Sequence, residues 1–252
     1  MNSFLDFTGK KILVAGASSG IGRQVAITLS EYGADVIIVA RREGKLKETL
    51  LQLADGNHRS YTVDLAETEK IEDNIKMIVS ESGKLDGLVY CAGMDGMLPV
   101  RASKPDYVEQ MFRINFFGFY ELVRIVTKKV NHNPGIAIVG ISSSAASHGE
   151  KSQSVYSATK ASIDAAVNVM AQEYADKGIR INTVQPGMTD TEMYSKYKQL
   201  VGDEGVQRLL EGQPLGIGET TDIANAIAFL LSDKAKFITG IHMPVDGGAS
   251  VS

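Results

Sequence analysis

Tyr156 and Lys160 stand four residues apart in Tyr156-Ser157-Ala158-Thr159-Lys160, a spacing that puts both side chains on one face of a helix. A phenol ordinarily titrates at about 10, so it exchanges a proton near neutral pH only when a neighbouring charge adjusts it. Lys160 can supply that field. Reducing a ketone takes a hydride at carbon and a proton at oxygen, and a tyrosine beside a lysine suits the second task. Upstream, Ile141-Ser142-Ser143-Ser144 closes an apolar run with three hydroxyls, and a hydroxyl there can hold a carbonyl oxygen beside Tyr156.

A second group of residues is built for phosphate. In Ala15-Gly16-Ala17-Ser18-Ser19-Gly20-Ile21-Gly22 an apolar run passes through three glycines into an amphipathic helix. Glycines on such a turn let the backbone approach a pyrophosphate, whose charge then rests on the free N–H groups of the helix start. The spacing G-x-x-x-G-x-G departs from the generic dinucleotide pattern, so the strand-to-helix context carries the assignment. Cofactor choice is written at the end of the next apolar run, where Arg41-Arg42 follows Asp35-Val36-Ile37-Ile38-Val39-Ala40 and no acid occupies the end. Asp35 precedes the run and belongs to the opposite sheet edge. A guanidinium donates two parallel bonds to a phosphate dianion, so NADP(H) is favoured over NAD(H).

These groups need elements to hold them. Seven short, nearly continuous apolar runs, at 10–16, 35–40, 61–65, 85–93, 135–142, 179–187 and 241–248, alternate with helix-period stretches such as 22–32, 66–80, 106–130, 154–177 and 221–231. Apolar strands alternating with helices predict an α/β fold, a doubly wound parallel sheet of about seven strands with helices on both faces. No repeat or linker divides the chain, which predicts a single domain over 1–252. Between Pro186 and Gly218 the pattern is helical but broken by glycines, which predicts a small helical lid over about 188–218, its apolar face formed by Met188, Met193, Tyr194, Tyr197 and Leu200.

Composition removes several function classes. The 252 residues are 44% hydrophobic and 22% charged, which is ordinary for a globular chain. Lys plus Arg (26) against Asp plus Glu (30) gives a net charge of -4, the wrong sign for a nucleic-acid or anionic-membrane surface. No secretory leader or membrane-length apolar run is visible, and one cysteine, Cys91, suits a reducing compartment, so a cytoplasmic location is expected. Four scattered histidines indicate no metal site, and only His148 is placed to reach the cleft.

Taken together, AGASSGIG, CAG, the Asn115 segment, the serine triplet, YSATK, PGMTDT and VDGG resemble the short-chain dehydrogenase/reductase family from Lys10 to Gly248. The resemblance implies a Rossmann-type domain and an oxidoreductase interconverting a carbonyl and a secondary alcohol. It makes Tyr156 the general acid in reduction and the base in oxidation. Lys160 would bind the nicotinamide ribose and lower the tyrosine pKa, Ser143 would be the catalytic serine, and Asn115 would hold a water in the proton relay. For the cofactor it implies Gly16, Ser18, Ser19, Gly20, Ile21 and Gly22 at the pyrophosphate, with Arg41 and Arg42 at the 2′-phosphate. Asp64 and Leu65 would meet the adenine, Ala92 and Gly93 the adenosine ribose, and Pro186, Gly187, Thr189 and Thr191 the nicotinamide carboxamide. A homodimer or homotetramer is implied as well.

Two positions depart from the family pattern. Ala15 replaces a threonine and Tyr90-Cys91 replaces Asn-Asn, so a polar brace between the turn and the fourth strand is lost as a pair. Overall similarity is greatest to 3-oxoacyl carrier-protein reductases, whose basic patches dock an acidic carrier. Here only Lys177, Lys128 and Lys129 offer such charge, so a sugar, steroid or other small ketone is the alternative substrate. A non-catalytic NADP-binding regulator would be expected to lose Asn115, Ser143, Tyr156 or Lys160, and all four are present.

Overall fold

The computed structural model describes residues 4–251, with the side chain of Leu209 left aside. Strands β1 (Lys11–Ala15), β2 (Asp35–Ala40), β3 (Arg59–Thr62), β4 (Leu85–Tyr90), β5 (His132–Ile141), β6 (Arg180–Pro186) and β7 (His242–Val245) form one sheet in the order β3-β2-β1-β4-β5-β6-β7. Every pairing is parallel. Around it lie α1 (Gly20–Glu31), α2 (Glu43–Leu50), α3 (Ile71–Ser82), α4 (Pro105–Phe112), α5 (Gly118–Val126), α6 (Ser154–Tyr174), α7 (Glu192–Glu211) and α8 (Thr220–Leu231).

The strands read as unbroken apolar runs because alternate residues feed two separate cores. Ile12, Val14, Val36, Ile38, Ala137 and Val139 pack with α1 and α8 through Val25, Leu29, Ile223 and Ile227. Leu13, Ala15, Ile37, Val39, Ile136 and Ile138 pack on the other face with α3, α5 and α6 through Ile75, Ile78, Leu122, Val126, Ile163 and Val167. All seven expected strands form, but β3 ends at Thr62 rather than at 65. It is the sheet's edge, pairs only with β2 and has exposed ends, so Val63 and Leu65 leave it to enter the second core from a loop.

The helix expected over 106–130 is interrupted. Between α4 and α5 the backbone widens into a π-helical turn, Arg113–Phe117, with Asn115 fully buried inside it. Such single wide turns re-aim side chains within a helix. Tyr90, at the end of β4, donates its hydroxyl to the Ile114 carbonyl at 2.5 Å and sets its ring edge-on to Phe119. The stretch expected to be helical from 66 begins with a short 3-10 turn, Thr68–Lys70, and α2 had no counterpart among the expected helices.

Gly118 sits where the turn meets β4 and the β3 loop. A Cβ there would meet the Leu65 carbonyl oxygen and the Tyr90 hydroxyl, each at 2.5 Å. On an open helix Gly→Ala gains about 1 kcal/mol. At this position overlap with backbone and a hydrogen-bonded phenol reverses the sign, and Gly118→Ala is expected to destabilise by about 2 kcal/mol in urea unfolding.

Candidate active site

The strand order reverses direction of travel between β1 and β4, and ligands of open parallel sheets bind in the crevice at such a point. A cavity of about 760 Å³ lies there, above the carboxyl ends of the strands. One end is the glycine turn. Gly16 has φ +88, and a Cβ on it would lie 2.5 Å from the Ala92 backbone nitrogen. Gly22 allows no Cβ either, since the Gly16 carbonyl oxygen and the Cys91 side chain occupy the space. Glycine is therefore required for close approach at both positions. The loop is tied down by Arg23, which donates to the Ser18 carbonyl at 2.8 Å, and by Thr49, whose hydroxyl donates to the Ala17 carbonyl at 2.9 Å.

Gly16, Ser18, Ser19, Gly20, Ile21 and Gly22 all line the cavity, and the first turn of α1 carries no acidic residue. Arg41 and Arg42 line the same end. Arg42 donates to the Ser18 and Ser19 hydroxyls at 3.0 and 2.7 Å and pairs with Glu192 of α7 at 3.5 Å, while Arg41 pairs with Asp64 at 3.8 Å. Free helix N–H groups beside two guanidiniums fit a pyrophosphate and a further phosphate. Asp35 begins β2 at the far edge, where it accepts from the Asn57 N–H.

Leu65, Ala92 and Gly93 also line the cavity, whereas Asp64 does not. Asp64 turns its carboxylate to the Ala66 N–H and to Arg41, so it stands at the rim, outside the position expected for an adenine contact. Where the polar brace was expected to be lost, Ala15 accepts from the Cys91 N–H at 2.8 Å through backbone alone, and burial pushes the Cys91 thiol up to about 12. A thiol so raised keeps its proton at neutral pH. Tyr90, in the place of the other asparagine, restores a polar tie, now to the π-helical turn.

Ser143, Tyr156 and Lys160 converge on the cavity from β5 and α6. The Ser143 hydroxyl, which accepts from the Ala145 N–H at 3.1 Å, lies on the Tyr156 side of the cavity and acts on its phenol. Burial raises the Tyr156 pKa, Ser143 pulls the other way, and Asp95 adds to the rise. The lowering expected from Lys160 does not appear: desolvation is the largest effect on the phenol, and Ser143, not Lys160, supplies the opposing one. The phenol stays protonated at neutral pH, the form a proton donor needs. Lys160 is 4% exposed; its ammonium lies 5.7 Å from the Tyr156 ring centre and donates to the Ile141 carbonyl at 2.8 Å. Its burial pushes the ammonium down to about 8, against the opposing pull of Cys91 and Asp164.

The serine triplet is resolved by direction. Ser142 donates away from the cleft to Asp164 at 2.8 Å, and Ser143 faces Tyr156. Asn115 lies behind the wall rather than on it. Its Oδ1 accepts from the Met94 N–H at 2.8 Å, and its Nδ2 meets the Met94 carbonyl, Met111 Sδ and Thr159 Oγ1. Its amide hydrogens are spent on protein, so the relay role expected of it does not rest on them. A Cβ on Gly93 would lie 3.2 Å from Asn115 Oδ1 and 3.6 Å from Lys160 Nζ, which places that glycine between the two.

The fourth wall is the lid. Its ends are clamped: Thr189 and Gly218 form a bridge, with Asp190 N–H to the Gly218 carbonyl at 2.9 Å and Gly218 N–H to the Met188 carbonyl at 3.0 Å. Between them α7 breaks at Gly202, φ 70. Met188, Met193, Tyr194 and Tyr197 line the cavity, but Leu200 is 69% exposed and outside it, beyond the part of α7 that faces the cleft. Pro186, Gly187, Thr189 and Thr191 line the cavity where the lid leaves β6, and His148 lines it from the β5 side. Gln213 is a residue the motifs did not flag. Buried, it accepts from the Met188 N–H at 2.8 Å and donates to the Met188 and Gly216 carbonyls, so it holds the Gly187-Met188 backbone in place. Among the described residues no cluster of side chains could hold a metal ion.

Residues 16–250 match a family model described as enoyl-(acyl carrier protein) reductase. The chain is 33% identical over 243 residues to a 3-oxoacyl-[acyl-carrier-protein] reductase of Staphylococcus epidermidis, covering 95% of this chain and 98% of that one. The chain belongs to the short-chain dehydrogenase/reductase family. It is an oxidoreductase acting on CH–OH or carbonyl groups. An L-rhamnose 1-dehydrogenase (NAD(P)(+)) of Sphingomonas is 34% identical over 250 residues, covering 97% of both chains. Among solved structures, an actinorhodin polyketide ketoreductase with NADPH superposes with a TM-score of 0.91 at 27% identity, covering 96% of this chain and 98% of the other. No helix among the described residues is long and apolar enough to cross a membrane.

Lys160 makes a stability prediction. Its folded pKa, about 8, lies below the ordinary lysine value, so folding holds a charge at a cost below pH 8 and sheds that cost as pH rises towards 10.5. Lys160→Met is therefore expected to raise the urea midpoint at pH 7, with the advantage shrinking between pH 8 and 10.5. Parallel curves for the two proteins across that window would contradict the burial argument.

Proposed function

We propose that the protein is an NADPH-dependent reductase that converts a small ketone to a secondary alcohol, a reaction it also runs in reverse. The observation that carries the reading is the convergence of Ser143, Tyr156 and Lys160 on the cavity that also contains the glycine turn and Arg41-Arg42. In this reading Ser143 holds the carbonyl oxygen, and Tyr156, neutral at pH 7, gives that oxygen its proton. Lys160 lies against the nicotinamide ribose and carries the positive charge that limits the cost of the phenolate left behind. Pro186, Gly187, Thr189 and Thr191 orient the carboxamide end. When bound, the nicotinamide supplies the hydride. Arg41 and Arg42 take the 2′-phosphate, Leu65 flanks the adenine while Asp64 at the rim holds Arg41, and Asn115 braces Met94 and the wall beside Lys160.

Substrate size follows from the lid. Met94, Met97, Met193 and Tyr194 give the inner cleft soft apolar walls that fill around a ring or short chain. Docking of an acidic carrier protein is less well supported. Lys128 is engaged by Glu72 at 2.8 Å, Arg124 by Glu121 at 2.6 Å, and Lys177 folds back on the Tyr174 ring. A freely diffusing ketone therefore fits better than a carrier-borne one. Phe117 and Tyr120 of the π-turn and α5, with Val169 of α6, stand exposed, which favours pairing of these helices in a homodimer or homotetramer. One domain with a lid, working in the cytoplasm, completes the reading.

The test is a panel of free ketones and sugars, with a 3-oxoacyl and an enoyl thioester included, mixed with NADPH while the reduced nicotinamide absorbance is followed. Turnover of free ketones is expected. Tight NADPH binding with no turnover across the panel would point to a regulator. Tyr156→Phe is expected to lower kcat by about a thousandfold while the NADPH dissociation constant stays within about twofold. Substantial remaining activity would remove Tyr156 from its role. Arg41→Asp is expected to raise KM for NADPH at least about tenfold and to leave KM for NADH unchanged or lower, because a carboxylate repels the 2′-phosphate. If both constants stay put, the cofactor argument fails.

A further inference from the structure

A buried carboxylate with no part in the proton transfer lies one helical turn beyond Lys160. Asp164 is 8% exposed and is the hub of a side-chain network spanning four elements. Its Oδ2 accepts from the Ser142 hydroxyl and the Gln185 amide, each at 2.8 Å, and its Oδ1 accepts from the Thr183 hydroxyl at 2.8 Å. His242 Nδ1, on β7, lies 3.3 Å from Oδ1 and 2.8 Å from Thr183 Oγ1, and its other nitrogen meets Asn168 Oδ1 at 3.0 Å. Ser142 also reaches the Lys160 carbonyl at 3.2 Å.

The three segments joined here are the ones the site depends on. Ser142 precedes Ser143, Gln185 precedes Pro186-Gly187, and Asp164 shares a helix face with Lys160. A carboxylate accepts several donors at once, which a neutral amide cannot, and this one accepts three, with His242 Nδ1 close by at 3.3 Å. A carboxylate is costly to bury unless its lone pairs are satisfied, and these are. Its negative charge sits one helical turn from Lys160 on the same helix face, where it acts on the buried ammonium without pairing with it directly; the ammonium's own contacts are the Ile141 carbonyl and the Tyr156 ring.

We propose that Asp164 is a positioning residue for Lys160: it locks the lysine helix to the Ser143 strand end and to the turn after β6, and it keeps the Lys160 side chain charged beside the cleft. The functional meaning rests on the role given to Lys160 above, but the charge is measurable without turnover. The titratable groups that face this pair are Cys91 from the end of β4, Tyr156 from α6 itself and His242 from β7, and Asp95 acts on Tyr156.

The experiment is an NMR titration of protein carrying isotope-labelled lysine, with the Lys160 signal assigned by its loss in Lys160→Met. In the wild type that signal is expected to titrate near pH 8. In Asp164→Asn it is expected at lower pH, by about one unit, since the ammonium has lost its counter-charge. Should an amide facing Ser142 and Gln185 prevent folding, Asp164→Ser removes the same charge and leaves room for water. On any ketone the enzyme reduces, kcat is expected to fall about tenfold while KM for NADPH stays within about twofold. A folded variant of either kind whose Lys160 signal titrates as in the wild type overturns the proposal. Absence of ketone reduction by the wild type would count against the activity, and the titration would still decide the role of Asp164.

Discussion

Everything at the site depends on how closely the chain after β1 approaches the chain after β4. Gly16 lies against the Ala92 backbone with no room for a side-chain carbon, and Gly22 packs against Gly16 in turn. That contact brings the start of α1 over the sheet edge, so its free N–H groups point into the crevice where the strand order reverses. Any residue larger than glycine would lift the helix and open the turn. The serines and arginines that complete the phosphate end then follow from position alone, since Ser18 and Ser19 lie in the turn and Arg41-Arg42 leave the adjacent strand.

The opposite end of the crevice solves an electrostatic problem. In the proposed reading Tyr156 keeps its proton until a carbonyl oxygen takes it, and Lys160 stays charged where water is scarce. Burial helps the first and opposes the second. The two requirements are reconciled by separate partners. Ser143 addresses the phenol from the cleft side, and the Ile141 carbonyl and Asp164 address the lysine from behind. Adjacent serines in the extended residues just past the end of β5 therefore serve opposite directions, as alternation along an extended chain demands.

Much of this was legible in the residue order because it depends on local pattern. The seven apolar runs became seven strands, and each of Ser143, Tyr156, Lys160 and the glycine turn lies on the cavity. What escaped was set by tertiary contact. The π-helical turn has no periodicity of its own and exists because Tyr90 and Asn115 draw donors and acceptors from outside the helix. Gln213 sits at the glycine-broken end of the expected helical lid, where no motif marks it, and only the folded lid shows its side chain pairing with Met188. β3 stopped three residues early because pairing with β2 ends there, whatever the apolar content beyond. The exposure of Leu200 has the same character: helical spacing placed it with Tyr197, but the cleft ends before it.

The replaced asparagines show how a family site tolerates change in its supports. Ala15 and Cys91 meet through backbone alone, so neither leaves a buried polar group without a partner. Tyr90 instead carries a hydroxyl across the second core to Ile114, on the turn that holds Asn115, with its ring filling the space beside Phe119. One polar tie is removed from the cofactor side of β4 and another is made on the side of the proton-transfer groups. Ser143, Tyr156 and Lys160 keep their places on the cavity because the wall behind Gly93 and Lys160 is rigid and hydrogen-bonded, and Tyr90 supplies one tie to it through Ile114.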